Sequence, residues 1–293
     1  MRRRTSPEEA LFDFRYIDAA EVGQHNTLID DISARRIDGA IVRNALSKET
    51  LDVIKERLAK GTVPFAKRTF NGFPEGEGSP YTLGRAIVSA SHDLVEYFDT
   101  AKQTRGNLRE IFAGAGDFEA RMAEIFGALA NGRPVAVPEG PNHETYAPAT
   151  FRFLPEGRDI GIHVGNSFLR LPQARHLSTL VDLVDQLSFF ITVQAPEGGG
   201  ELVVYGLEWD DVASQFPAEL GPDEMVYDSS GVMIRLVELC AKQAFAPSDG
   251  DLLIFDGGRF YHRVAHILGK TPRCTLGGFL SFSRDNKTLC YWS

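Results

Sequence analysis

Thr275-Leu-Gly-Gly-Phe-Leu-Ser-Phe282 is a run of apolar and β-forming residues around a glycine pair, uninterrupted by charge, and it reads as a buried strand. Four runs upstream have the same character: Thr150 to Leu154, Ser188 to Gln194, Glu201 to Tyr205 and Leu252 to Phe255. Glycine-rich turns separate several of them. Many short strands spread through residues 149–293, with one helix between them on Leu177, Leu180, Val181, Val184 and Leu187, predict an α+β protein. Its core is a jelly roll of the cupin-like, double-stranded β-helix type with helices flanking it.

Residues 1–148 read as mainly helical. Leu51, Ile54 and Leu58 share one face of a helix that Ser47 can cap and Gly61 can stop, and Phe118, Met122, Ile125, Phe126 and Leu129 follow Asp117 and end at Asn131-Gly132. Between them, Phe65 to Tyr81 is a glycine- and proline-rich loop carrying aromatics, suited to a lid over a pocket. Met225 to Ala244 fits helix or strand equally. Neither an internal repeat nor an interdomain linker interrupts the chain, so residues 1–293 are expected to form one domain.

With 293 residues, 43% of them hydrophobic, the chain can bury a sizeable core. A formal charge of −9 argues against a nucleic-acid polymer or a membrane surface as partner and leaves room for a local basic pocket. The cysteines, Cys240, Cys274 and Cys290, are odd in number and lack CxxC spacing, which suits a reducing compartment and neither a zinc knuckle nor a disulfide framework. The basic start at Arg2, Arg3 and Arg4 leads into Glu8, Glu9 and Asp13 instead of an apolar segment, so a cytoplasmic protein is expected.

The chemistry gathers at two histidines, His163 in Gly161-Ile-His-Val-Gly-Asn166 and His262 in Gly257-Gly-Arg-Phe-Tyr-His-Arg-Val264. Non-haem iron oxygenases take two imidazoles and a carboxylate on one face of the metal, the carboxylate usually two residues after the first histidine. That position is Gly165, which has no side chain. Either histidine alone would more simply be a hydrogen-bonded strand residue. Arg273, with Thr275 beyond it on the same strand, adds a third element: a guanidinium and a hydroxyl able to hold the distal carboxylate of a 2-oxo acid. Arg152 is a second candidate for anion contact, with an outward salt bridge as its alternative. Glu201, the nearest rival carboxylate, reads more simply as a turn residue.

Ala149-Thr-Phe-Arg152, Ile162-His-Val-Gly-Asn166, Asp185-Gln-Leu-Ser188, Gly199-Gly-Glu-Leu-Val-Val-Tyr205, Tyr261-His-Arg-Val264 and Tyr291-Trp-Ser293 together resemble the stand-alone iron- and 2-oxoglutarate-dependent halogenases of the welwitindolinone alkaloid pathway and their relatives. The resemblance runs from about Phe14 to the C-terminus and is weakest over Lys67 to Arg85 and Trp209 to Phe245. It implies His163 and His262 as ligands of iron(II), Gly165 as the vacated carboxylate position that chloride or bromide fills, and Arg273 as the 2-oxoglutarate anchor, with dioxygen as oxidant. Where the family pattern implies a second arginine this chain has Cys274, which leaves the anchor more heavily on Arg273. Ser188 is the candidate hydroxyl that orients the reacting centre, its alternative being a polar residue that ends a helix. The partner implied is a free small molecule, without a carrier protein.

Phe70, Phe73 and Tyr81 are candidates for substrate contact from the lid loop, although such aromatics more often pack on the core. Lys67, Arg68 and Arg85 cluster there in an otherwise acidic chain. Their ordinary fate is a solvated surface, but they would suit a phosphorylated substrate, and the related nucleotide halogenases of nucleoside-antibiotic pathways make a deoxyadenosine monophosphate-type nucleotide the preferred expectation. A hydrophobic alkaloid is the alternative substrate. A 2-oxoglutarate hydroxylase and a non-catalytic binding module are the alternative functions.

Overall fold

The computed structural model describes residues 10–70, 73–76, 78–90, 94–213, 237 and 239–293. Its strands in chain order are β1 (Phe14–Asp18), β2 (Gly39–Arg43), β3 (Lys67–Thr69), β4 (Tyr81–Leu83), β5 (Val135–Ala136), β6 (Thr150–Leu154), β7 (Ile160–His163) and β8 (Leu187–Gln194). They continue with β9 (Gly198–Gly199), β10 (Leu202–Glu208), β11 (Lys242–Phe245), β12 (Leu252–Phe255), β13 (Phe260–Val264), β14 (Ile267–Leu268), β15 (Arg273–Phe282) and β16 (Leu289–Trp292). The helices are α1 (Leu28–Ser33), α2 (Lys48–Lys60), α3 (Val95–Phe112), α4 (Phe118–Leu129), α5 (Ala174–Leu180) and α6 (Trp209–Ala213).

Two sheets face each other, as a double-stranded β-helix requires. The larger has ten strands in the path β1-β2-β12-β8-β15-β6-β4-β3, with β16 pairing to β15 and to β5, and the smaller runs β11-β10-β13-β7. The N-terminal half is thus not a helical appendage: β1 to β4 extend both edges of the main sheet.

Period-two alternation divides the main sheet cleanly. On β8, Phe189, Ile191 and Val193 point outward; on β12, Leu252 and Ile254; on β15, Cys274, Leu276 and Leu280; all join one core with Ile54 of α2, Ile111 of α3 and Phe126 of α4. The opposite face of β12 sends Leu253 and Phe255 to meet Leu202, Val204 and Phe260 of the smaller sheet. The ends of α2 and α4, two of the covering helices, are fixed by caps. Ser47 Oγ accepts from the Thr50 N–H and Gly61 closes α2 at φ 61°, while Asp117 accepts from the Ala120 N–H at the start of α4.

The helix expected to reach Leu187 stops earlier. α5 ends at Leu180, Val181 forms an isolated bridge with Ser283, Val184 is exposed and Leu187 already lies on β8. Of the ambiguous stretch Met225 to Ala244, residues 225–236 and 238 lie outside the described residues, and Lys242 to Ala244 are strand. Among the described residues no helix is long and apolar enough to cross a membrane.

This division predicts where truncation hurts. Leu276→Ala, at a fully buried site facing the helices, should lower the unfolding free energy by about 2–5 kcal/mol, whereas Val184→Ala should stay within about 0.5 kcal/mol. Denaturant titration of the two variants checks both.

Candidate active site

His163 and His262 are directly paired across antiparallel strands β7 and β13, and their ring centroids stand 4.2 Å apart. Each ring is oriented in the same way. Nδ1 of His163 lies 2.8 Å from the carbonyl of Gly161, and Nδ1 of His262 lies 2.8 Å from that of Phe260. A carbonyl can only accept, so Nδ1 carries the proton and Nε2 keeps its lone pair for a metal. Phe255 braces His262 edge-on at 4.9 Å.

Surrounding protein lowers the pKa of His163, although its ring opens to a cavity. His262 is pushed well below the ordinary value, first by burial and then by the neighbouring His163. Both rings are therefore neutral, the form that binds metal. Among the described residues no third His, Cys, Asp or Glu completes a metal-binding cluster with them.

Gly165 lies two residues after His163 and lines the same cavity. Its N–H donates to the carbonyl of Gly257 at 2.8 Å, and the next N–H, of Asn166, donates to that of Gly258 at 2.9 Å. A Cβ on Gly165 would stand 2.9 Å from both the Gly257 carbonyl oxygen and the Gly258 Cα, so any side chain here must displace backbone. Gly257 is equally constrained, since its Cβ would fall 2.2 Å from Ser188 Oγ. Ser188 is the second residue of β8 and lines the cavity. Glu201 does not line it, and the alternation along β10 gives Leu202 to the cavity side and Val203 and Tyr205 to the outer cluster.

The cavity, about 390 Å³, is walled by His163, His262, Gly165, Ser188, Arg152, Arg273 and Thr275 together with apolar residues that include Phe168, Leu171, Phe190 and Phe279. Arg273 and Thr275 face it because Cys274 and Leu276 face the helices, and Arg152 is register-paired with Thr275. Arg152 therefore points inward and makes no salt bridge among the described residues. Neither arginine is held by a carboxylate among the described residues: burial lowers both, Arg273 to about 10 with Arg152 adding repulsion, and Phe190 lies 4.9 Å under the Arg273 guanidinium. Two uncompensated cations in one cavity wall form a site for an anion. Cys274, found where a further arginine was expected, points into the helix-side core and burial keeps its thiol neutral, so its identity takes nothing from the cavity.

The lid-loop residues divide. Arg68 and Phe70 line the cavity, with Thr69, Thr82, Ala86 and Val88 beside them. Tyr81 instead stacks on Phe153 at 4.7 Å with the Lys67 ammonium 4.0 Å above its ring, and Phe73 lies under Arg158. Arg85 does not line the cavity; it and Arg68 each reach Glu96 at 2.6 Å. Two residues of the site were not singled out from the sequence: Gln186, which lines the cavity and bonds to Gly165, and Glu96, which gathers the two arginines. Their side-chain directions had no signal in periodicity.

Behind the glycines lies an ionic group, buried at Arg259, Asp256 and Asp38 and open to solvent at Arg35. Arg259 contacts Asp256 at 2.7 Å, Asp38 at 3.3 Å and Glu208 at 3.8 Å, while Arg35 holds Asp185 at 2.5 Å. Carboxylates outnumber guanidiniums there. Burial, with repulsion from Asp185, pushes Asp256 up from 3.8 to about 7 against the pull of Arg259.

Residues 11–293 match the family model described as carrier-protein-independent halogenase WelO5. No curated protein sequence matches significantly. Among solved structures, an N-substituted L-amino acid dioxygenase from Burkholderia ambifaria AMMD superposes with a TM-score of 0.58 at 17% identity, covering 93% of this chain and 91% of that one. The same enzyme in complex with α-ketoglutarate gives 0.52 at 16% identity, covering 93% and 90%. At such identities the likeness establishes the fold alone.

The Asp256 environment predicts a pH dependence. Between about pH 4 and pH 7 the folded state holds a proton that the unfolded chain has released, so this group's contribution to stability falls as pH rises through that window and is flat above it. Asp256→Asn should flatten that slope. Urea unfolding of both proteins at several pH values measures it.

Proposed function

Since the chain belongs to the carrier-protein-independent halogenase family, we propose that it halogenates an unactivated sp3 carbon of a free small molecule, using iron(II), 2-oxoglutarate, dioxygen and chloride or bromide. The observation that carries this reading is the pair of neutral imidazoles whose Nε2 atoms keep their lone pairs, beside Gly165, with no third metal-ligating side chain among the described residues. His163 and His262 would hold the iron, and a halide at the Gly165 side would restore both the coordination and the negative charge that a carboxylate normally supplies. Arg273, with Thr275 and Arg152, would bind the carboxylates of 2-oxoglutarate. When bound, the iron, oxo acid and dioxygen supply the oxidant that removes a hydrogen atom from carbon.

This chain's own contribution is placement. The apolar cavity wall excludes water from the carbon radical, and Ser188 offers a hydroxyl beside the vacated position. Whether halogen or hydroxyl returns to carbon depends on which lies nearer, so holding the substrate carbon close to the halide favours halogenation.

For substrate we propose an anionic small molecule, a deoxyadenosine monophosphate-type nucleotide. Arg68 lines the cavity and converges with Arg85 on the single carboxylate of Glu96, leaving one positive charge uncompensated for a phosphate. The apolar walls at Ala86, Val88 and Phe168 favour a second reading, a hydrophobic alkaloid. Arg85→Ala should weaken binding of the monophosphate by about tenfold or more and leave the nucleoside unchanged; equal affinities for both in the unaltered protein would turn the choice to the alkaloid.

Incubation of the anaerobically reconstituted protein with both substrate classes, followed by air, tests the reaction. A product whose chlorine isotope pattern becomes that of bromine when the salt is exchanged is expected. Succinate with only hydroxylated product, indifferent to halide, would establish a hydroxylase instead, and no succinate with any substrate would leave a binding module. Arg273→Gln should raise the 2-oxoglutarate requirement by about tenfold to a hundredfold, read from succinate formation against co-substrate concentration.

A further inference from the structure

Gln186 is 1% exposed, lines the cavity with Gly165 and Ser188, and bonds to both backbone segments that meet at Gly165. Its side-chain Nε2 donates to the carbonyl of Gly165 at 3.2 Å. Its backbone carbonyl accepts from the N–H of Gly258 at 2.8 Å. Only glycine allows this approach at 258, because a Cβ there would lie 2.6 Å from the Gln186 nitrogen, and Gly165 is tied to Gly257 from the far side. One residue thus sets the spacing between the two segments. The neighbouring pair Asn166 and Asp185 reinforces it, with Asn166 Nδ2 donating to the carboxylate and the Asp185 N–H donating to Asn166 Oδ1 at 2.8 and 2.9 Å.

The amide orientation is fixed by this chemistry. Exchanging Nε2 and Oε1 would set two carbonyl oxygens against each other. Oε1 is consequently an acceptor, buried and bonded to nothing among the described residues. A buried acceptor without a donor is rare, and one in a cavity wall is ordinarily satisfied by what fills the cavity. A halide donates nothing and would be repelled by a carbonyl oxygen. A water molecule with one hydrogen on Oε1 and the other on the halide satisfies both.

We propose that Gln186 is the positioning residue for the halide: it fixes the width of the position beside Gly165 and holds, through Oε1, a water that donates to the bound anion. The inference rests on the halogenase reading and deepens it. Loss of the amide removes both the N–H that ties down the Gly165 carbonyl and the acceptor that orients the water, so the position widens and the smaller halide loses most.

The test measures binding and not turnover. Chloride and bromide are titrated into the anaerobic iron(II) and 2-oxoglutarate complex of the full chain, and the shift of its charge-transfer absorption is followed for the unaltered protein, Gln186→Met and Gln186→Glu. Iron affinity is measured separately, because a merely structural lesion would move it. In both variants the chloride dissociation constant should rise about tenfold or more, the preference should move toward bromide, and iron affinity should change by less than about twofold. A variant that binds iron normally and retains chloride affinity and the halide ratio within about twofold overturns the role of Gln186 while leaving the halogenase reading intact. Absence of any halide-dependent shift in the unaltered protein overturns both.

Discussion

A guanidinium removed from bulk water needs a carboxylate beside it or an anion brought to it, and this fold is arranged so that Arg273 and Arg152 wait for the second. The constraint that puts them there is register. Cys274, Leu276 and Phe151 are required by the core under the helices, and the period of two then turns Arg273, Thr275 and Arg152 to the other face. A slip of β15 by one residue would turn Arg273 toward Ile54, Ile111 and Phe126, and the same slip of β6 would do so for Arg152. The same core that stabilises the protein therefore aims both guanidiniums into the cavity.

The smaller sheet completes the site by the same logic. Val204 and Phe260 pack against Phe255, which orients β13 so that His262 faces inward opposite His163, and backbone carbonyls two residues upstream fix each ring's tautomer. Three glycines, Gly165, Gly257 and Gly258, then let two backbone segments meet where a side chain would otherwise stand. A side chain at Gly165 would prevent this close approach.

Much of this was legible in the sequence because it is carried by spacing and composition. The five β-rich runs appear as strands in the structure, and His163, Gly165, Ser188, Arg152, His262 and Arg273 meet in one cavity. Other features left little trace. α3 shows no clean apolar face because Thr100 and Thr104 occupy buried positions by returning their hydroxyls to carbonyls one turn back. β1 and β2 pair in parallel across an intervening helix, a long-range contact that no hairpin signal announces. The helix expected to reach Leu187 was overextended because Val181, Val184 and Leu187 keep a helical spacing; the chain turns at Asp185, with φ of 55°, where Asn166 and Arg35 hold it. Around the lid, composition identified the basic residues but not their partners: Glu96 is remote in sequence, and Tyr81 faces away from the cavity onto Phe153.

The account turns on a halide taking the place of a carboxylate beside Gly165. X-ray absorption at the iron edge, on the anaerobic protein loaded with iron(II), 2-oxoglutarate and bromide, tests that most directly. A bromine scatterer in the first coordination shell, replaced by chlorine on exchange of the salt, is the predicted result; a shell of nitrogen and oxygen alone, unchanged by halide, would contradict it.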